Sequence, residues 1–313
     1  IVGVAWKTKI MALKFLDNEG AGTLEDALKA VDYAIKNGAK VLSNSWSGGD
    51  YSETLKQAIE RSSQAGAIFV AAASNDASDN DAQPVYPAGY KIPNVLSVAA
   101  INNTGTLAPF SNYGKTTVHI AAPGVNIHST TLKGYESWSG TSMATPYVSG
   151  TAVLMASQHP LMSGIQIKEA ILNAAKPNRK LRNKVTTSGN LDAYAALNLT
   201  VVGPDMEDPF NWSKQMDYQL STDHPYRPEL KNIWEITVPS AKEISVYFSK
   251  LDTELKYDKV MLYDSTGKLV QTLVGEHHDS YSETIKGNYV KIVFETDRSV
   301  QKYGFDITTI KYR

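Results

Sequence analysis

Apolar positions in the first ~200 residues come in two rhythms. Short continuous apolar runs alternate with stretches in which apolar residues recur every three or four positions, the pattern of βαβ units around a parallel sheet. Ile10 to Leu16 is a mostly apolar run that predicts a buried strand. A helix is expected next, with Thr23 as N-cap, Asp26 three residues on, Leu24, Leu28, Val31 and Ile35 on one face, and Gly38 as its stop. Val41-Leu42 opens a second strand, and Leu55, Ala58 and Ile59 mark a second amphipathic helix ended by Gly66. Ala67–Ala73, Val95–Ala100 and Thr117–Ala122 read as three further strands. A run rich in Ala, Val, Leu and Met follows Ser142 and reaches about His159, and its small polar residues suit a buried helix. Near residue 200 the pattern changes. "VVGPDMEDPFNW" has two prolines and no period, so 201–215 reads as a linker. Beyond it, "WEITVP", "ISVYF", "KVMLYD", "YVKIVFE" and "GFDITTIKY" are short, β-branched and aromatic, divided by turn signals, as in an all-β sandwich over 216–313.

Composition narrows the function classes. A chain of 313 residues can bury two cores, and 42% hydrophobic with 20% charged residues is ordinary for a globular protein. The net charge of -1 gives no reason to expect a nucleic-acid or membrane partner. No apolar run approaches the ~20 residues that span a bilayer. There is no cysteine, so disulfides and thiolate metal sites are excluded.

The stretch "GTSMATPYVSG", residues 140–150, carries the candidate chemistry. A Ser in the first turn of a helix has its hydroxyl beside free backbone N–H groups and the positive end of the helix dipole, which stabilise an oxyanion when the Ser attacks a carbonyl. Gly140 and Ala144 are small enough for a polypeptide to approach, and Pro146 is expected in the first turn, where its missing N–H costs little. Taken singly, such a Ser is also an ordinary N-cap.

This stretch resembles the nucleophile motif of the subtilisin-like serine proteases, the subtilase family, and the resemblance runs in order through nearly all of residues 1–198. "VLSNSWSGG" is similar to the substrate-binding strand, with Ser45, Trp46, Ser47 and Gly48 at its edge. "FVAAASND" is similar to the strand and loop that present the oxyanion-hole Asn, here Asn75. "YPAGYKIPNVLSVAA", "FSNYG", "IAAPG" and "SGNLDAYAALN" resemble further family segments. The resemblance implies a subtilisin-like parallel β-sheet with flanking helices over 1–200. It also implies Ser142 as nucleophile, Asn75 with the Ser142 N–H as oxyanion hole, and Ala73, Ser74, Gly140 and Thr141 beside the Ser45–Gly48 strand in contact with a polypeptide substrate. No cofactor is implied for catalysis. Ser74 and Ser47 stand where the family commonly has Gly, which is expected to narrow specificity.

A Ser hydroxyl needs a base, and the base an orienting carboxylate. In subtilases the order is Asp, His, Ser, with the His in an "HGTH"-like segment, and none of the six histidines here has that setting. In the family both partners precede the "GVA" segment, and this sequence opens at "IVGVAW". The expectation is therefore a peptidase domain without its N-terminal Asp/His segment, inactive alone, whose partners are a polypeptide substrate and that missing segment or a propeptide. The alternative is a non-catalytic binding protein on the same scaffold.

"LDTELKYDKVMLYD" and "TDRSVQKYGF" resemble a CUB-type β-sandwich of the bacterial kind. By that resemblance Glu254, Asp258 and Asp297 match calcium ligands, and carboxylates from separate loops suit that hard cation. The other reading makes them solvated acids or partners of Arg298 and Lys256. The combination implies a secreted, bacterial-type protein.

Overall fold

The computed structural model describes residues 1–313, which divide into two compact units, Ile1–Gly203 and Pro204–Arg313.

In the first unit a six-stranded sheet forms the centre. Its strands are β1 (Val41–Asn44), β2 (Ile68–Ala72), β3 (Val95–Ile101), β4 (Ile120–Pro123) and two short pieces, β7 (Lys176–Pro177) and β8 (Gly189–Asn190). The order is β1-β2-β3-β4-β8-β7, parallel except for β7. Every residue of β2 and β3 is buried, which is why both read as unbroken apolar runs rather than alternating ones. A separate hairpin, β5 (Ile127–Thr131) with β6 (Gly134–Trp138), is mostly exposed.

Helices α1 (Leu24–Lys36), α2 (Glu53–Gln64), α3 (Thr141–Gln158), α4 (Gly164–Asn173) and α5 (Ala193–Leu197) accompany the sheet. Thr23 caps α1 by accepting the Asp26 N–H, as its spacing predicts. The buried stripe of α1 is Ala27, Val31 and Ala34, however, and Leu24 is exposed. Val31 and Ala34 of that stripe pack against α2, in one cluster with Leu55, Ala58 and Ile59, and the larger Leu28 and Ile35 lie half-buried against that cluster. Helix α3 buries eight of its residues, among them Ala144, Val148, Ala152 and Met155, consistent with a helix that is apolar all round.

Two expectations fail here. Ile10–Leu16 is not a buried strand: Ile10 is 86% exposed, and only Leu16 makes a bridge, to Gly22. A strand needs a neighbour for its ladder, and the sheet begins at β1 without taking this run in. Thr117–Ala122 is strand only from Ile120 onward.

The second unit is all-β. One sheet holds β10 (Lys231–Thr237), β16 (Tyr289–Glu295), β12 (Lys259–Tyr263) and β13 (Leu269–Leu273) in that order. The other holds β14 (Glu276–Tyr281), β11 (Glu243–Asp252), β17 (Gly304–Tyr312) and β9 (Lys214–Ser221), with β15 (Ile285–Lys286) also on β11. All pairings are antiparallel, and alternate residues point inward to a core around Phe248, Phe294, Phe305 and Tyr226. Within the stretch read as a linker, Pro209–Asn211 forms a 3-10 turn, Trp212 is 2% exposed, and Lys214 already opens β9. No helix is long and apolar enough to cross a membrane.

Candidate active site

Four chain segments meet around Ser142. Gly140 leads into α3, which has no side-chain N-cap. The Thr141 N–H instead donates to Asn75 Oδ1 at 2.8 Å, and the Thr141 hydroxyl donates to the same oxygen at 3.1 Å. Met143 and Ala144 N–H turn back to the Gly140 carbonyl, which leaves the Ser142 N–H as the donor at the mouth of the helix. With its oxygen committed to Thr141, the Asn75 amide presents its NH2 on the opposite side, toward Gly140. Two N–H donors thus converge beside a Ser hydroxyl, the arrangement that stabilises a developing oxyanion.

Pro146 is the sixth residue of α3, beyond the first turn in which it was expected. Its missing N–H deprives the Ser142 carbonyl of its helical donor. The Ser45 hydroxyl takes that place, donating to Ser142 O at 2.9 Å, while Ser142 Oγ donates to Ser45 O at 3.2 Å. This reciprocal pair ties the nucleophile candidate to the segment that leaves β1. Ser149 Oγ to Ser43 Oγ, 2.8 Å, repeats the tie one helical stretch further on.

The loop that carries Asn75 is held from below by two asparagines whose role the sequence reading missed. Asn112 is fully buried; its Oδ1 accepts the Asp76 N–H at 2.7 Å and the Ser78 N–H at 3.2 Å, and its amide donates to Asn80 Oδ1 at 2.9 Å. Asn80 in turn donates to the Ala73 carbonyl at 2.9 Å. Buried amides that spend their groups on one another and on loop backbone define a single loop conformation. The available signal was "FSNYG", whose Asn sits beside a turn.

The other expected contact residues lie around this centre. Ser45, Ser47 and Gly48 are exposed and Trp46 is half-buried, packed edge-on to Phe15 at 5.2 Å. Ala73 and Thr141 are buried, and Ser74 stands at φ 85°, a left-handed conformation that explains a preference for Gly there. Gly140 has extended backbone, and a methyl there would meet only ordinary contacts. Gly124, whose carbonyl accepts the Gly140 N–H, has no room for a side chain, since a Cβ would lie 2.6 Å from that of Ala100 and 2.8 Å from Gly140 O.

No histidine of the first unit bonds Ser142. His119 accepts the Ser97 N–H at 2.9 Å and faces Lys168 at 3.3 Å. His128 meets Ser137, and His159 meets the Leu197 carbonyl. Burial, reinforced by the Lys168 ammonium, lowers the His119 pKa to about 3, and burial lowers that of Lys168 to about 8.

The sequence profile of the subtilase family matches residues 1–196, and that of the CUB domain residues 210–309. The chain belongs to the subtilase family. It is 39% identical over 199 residues to the thermophilic serine proteinase of Bacillus sp. (strain AK1), covering 63% of this chain and 46% of that protein. It is also 39% identical over 162 residues to subtilisin-like protease 2 of Plasmodium falciparum (isolate 3D7), covering 50% of this chain and 12% of the relative. This subtilase therefore spans less than half the length of these curated relatives. Among solved structures, that of the prenylagaramide maturation protease PagA superposes with a TM-score of 0.52 at 27% identity, covering 58% of this chain and 69% of that one.

In the CUB domain, ligand atoms of Glu254, Asp258 and Asp297 lie within 4.8 Å of one another. Asp258 is fully buried; its Oδ1 accepts the Asp297 N–H at 2.8 Å and its Oδ2 the Tyr226 hydroxyl. Glu254 Oε2 is buried with no hydrogen-bond partner. Burial, then Asp297 and Asp258, raise the Glu254 pKa. Neither expected cation neutralises the group, because Arg298 bonds Glu229 at 2.7 Å and Lys256 lies over the Tyr257 ring. Glu254 and Asp258 share the loop between β11 and β12, not separate loops as expected, and Asp297 comes from the loop after β16. Three hard oxygen donors, one of them orphaned, fit a divalent cation.

Proposed function

We propose that this subtilase chain carries the nucleophile and oxyanion hole of a secreted serine endopeptidase. The observation that carries the reading is the Asn75–Thr141–Ser142 geometry, in which Asn75 Oδ1 is pinned by the Thr141 N–H. Ser142 Oγ attacks the peptide carbonyl, and the oxyanion is held by the Ser142 N–H and the Asn75 amide. The Ser45–Gly48 segment lines the acyl side of the substrate. The proton acceptor and its orienting carboxylate are supplied by polypeptide outside these 313 residues, since Ser142 Oγ bonds the Ser45 carbonyl rather than an imidazole. Alone, the chain is inactive. A fluorophosphonate probe tests this: expressed from the complete coding sequence the protein labels at Ser142, and residues 1–313 alone do not. No labelling in either form supports a binding protein on the same scaffold instead.

In the CUB domain, Glu254, Asp258 and Asp297 hold calcium as a structural ion. The orphaned Glu254 Oε2 supports this reading, and the ion supplies the positive charge that three neighbouring carboxylates call for. Calorimetry on the chain tests it, with saturable calcium heat expected in wild type and lost in E254Q; absence of heat in wild type removes the site.

A further inference from the structure

Strands β1 and β2 run parallel in register from Val41↔Ile68 to Asn44↔Ala71. Continuing that register past the last pair brings Ser47 opposite Ser74. Both residues lie just beyond the carboxyl ends of β1 and β2, the end of the strands at which open α/β sheets receive ligands. Two residues before Ser47, the Ser45 carbonyl accepts from Ser142 Oγ at 3.2 Å, and one residue after it the Gly48 N–H donates to the Tyr86 carbonyl at 3.1 Å. Between the two strand ends the hydroxyls of Ser47 and Ser74 stand 3.1 Å apart. Their proton direction follows from the next link. Ser74 Oγ donates to Asp76 Oδ2 at 2.7 Å, so its hydrogen is used and Ser47 must donate to Ser74. Ser74 keeps its side chain at φ 85°, where any side chain is disfavoured, and is 8% exposed. A directed chain Ser47→Ser74→Asp76 therefore links the segments that leave β1 and β2, two residues along from the Ser45 that bonds the nucleophile candidate.

We infer that this hydroxyl bridge closes the crevice that receives the side chain on the acyl side of the scissile bond, so that the substrates are polypeptides with glycine, alanine or serine there. The inference rests on the endopeptidase reading above and names its substrate class. A leucine or phenylalanine side chain would have to part the two serines. That would leave Ser47 without its acceptor and push against Ser74, which Asp76 holds from behind.

Two measurements test it. Peptide-library cleavage by the protein expressed from its complete coding sequence should show kcat/KM for alanine exceeding that for phenylalanine by roughly ten-fold or more, the scale on which a pocket rejects excess bulk. S47G, S74G and the double variant should shift that ratio toward phenylalanine, the double variant most. S47G changes an exposed residue outside regular structure and carries no folding risk. The second measurement needs no turnover: calorimetric binding of peptides ending in alanine or phenylalanine to residues 1–313, wild type and double variant. Tighter binding of the alanine peptide, relaxed in the double variant, supports the bridge. Equal handling of alanine and phenylalanine by wild type, a ratio unmoved by the double variant, or no binding of either peptide overturns it. Selective binding without cleavage in the complete protein defeats the endopeptidase reading while leaving the closed crevice standing.

Discussion

The two units organise their polar groups in opposite ways. Around Ser142 the work is done by neutral dipoles: the Asn75 amide, backbone N–H groups at the start of α3, serine hydroxyls, and the buried Asn80–Asn112 pair behind them. The Asn75 oxygen is committed to Thr141, and both amides of the buried pair are committed to each other and to loop backbone. Around Glu254 three carboxylates gather within 4.8 Å, and their charges oppose one another. Dipoles can be preorganised by the fold alone, because they need no counter-charge. A carboxylate cluster is relieved by a cation or by a proton, so its stability is coupled to solution conditions. The first unit should respond to substitution of single amides, and the second to metal and pH.

The largest effect expected is on the dipole side. N75A in the complete protein should lower kcat by about 100- to 1000-fold with little change in KM, the magnitude known for the same amide in subtilisin itself. Equal loss in KM would mean that Asn75 binds substrate rather than the oxyanion. N112A should cost less in kcat than N75A while loosening the loop, seen as faster amide exchange at 76–78.

Next comes the metal. With calcium at a hundred-fold excess over Kd, the CUB domain should unfold roughly 10–20 °C higher by calorimetry, and E254Q should abolish the shift while leaving the subtilase domain's transition unchanged. A shift of both transitions, or of neither, would break the contrast.

Proton linkage separates the units further. The raised pKa of Glu254 means the metal-free fold takes its proton more readily than the unfolded chain. Its contribution to the CUB domain is therefore present below pH 4.5 and lost as pH rises through the raised value. In the first unit the signs reverse. His119 titrates at about 3 against an ordinary 6.5, so stability falls as pH drops from 6.5 toward 3. Lys168 titrates at about 8 against 10.5, so stability rises across that window. Urea midpoints against pH, followed separately for each domain with H119Q and K168M as controls, check the slopes; slopes unaltered by these substitutions would refute the assignment.

The smallest effect concerns Ser74. Removing the Cβ that is disfavoured at φ 85° gains about 1 kcal/mol, and losing the hydrogen bonds of its hydroxyl costs a similar amount. S74G should therefore change stability by less than about 1 kcal/mol, so any change in its substrate preference is not a folding effect.

Local patterns made much of this visible in advance. Continuous apolar runs announced β2 and β3 because both faces of those strands are covered, and the Thr23 cap set the start of α1. The α3 stretch placed Ser142 at a helix N-terminus. What the sequence hid depends on partners far along the chain. Ile10–Leu16 has strand composition and no ladder. The hairpin of β5 and β6 is polar and exposed, so it carries no burial signal. Asn80 and Asn112 are 32 residues apart, and nothing local shows that they meet. Pro146 lies deeper in its helix than a first-turn rule allows, because Ser45, 97 residues upstream of Ser142, supplies the missing donor.

The most direct test is the mass-spectrometric site of fluorophosphonate attachment. In protein from the complete coding sequence, the adduct should be found on Ser142 and should be abolished by S142A, while residues 1–313 alone stay unlabelled. Efficient labelling of Ser142 in residues 1–313 alone, or an adduct at another residue in the complete protein, would contradict the assignment of nucleophile and absent base.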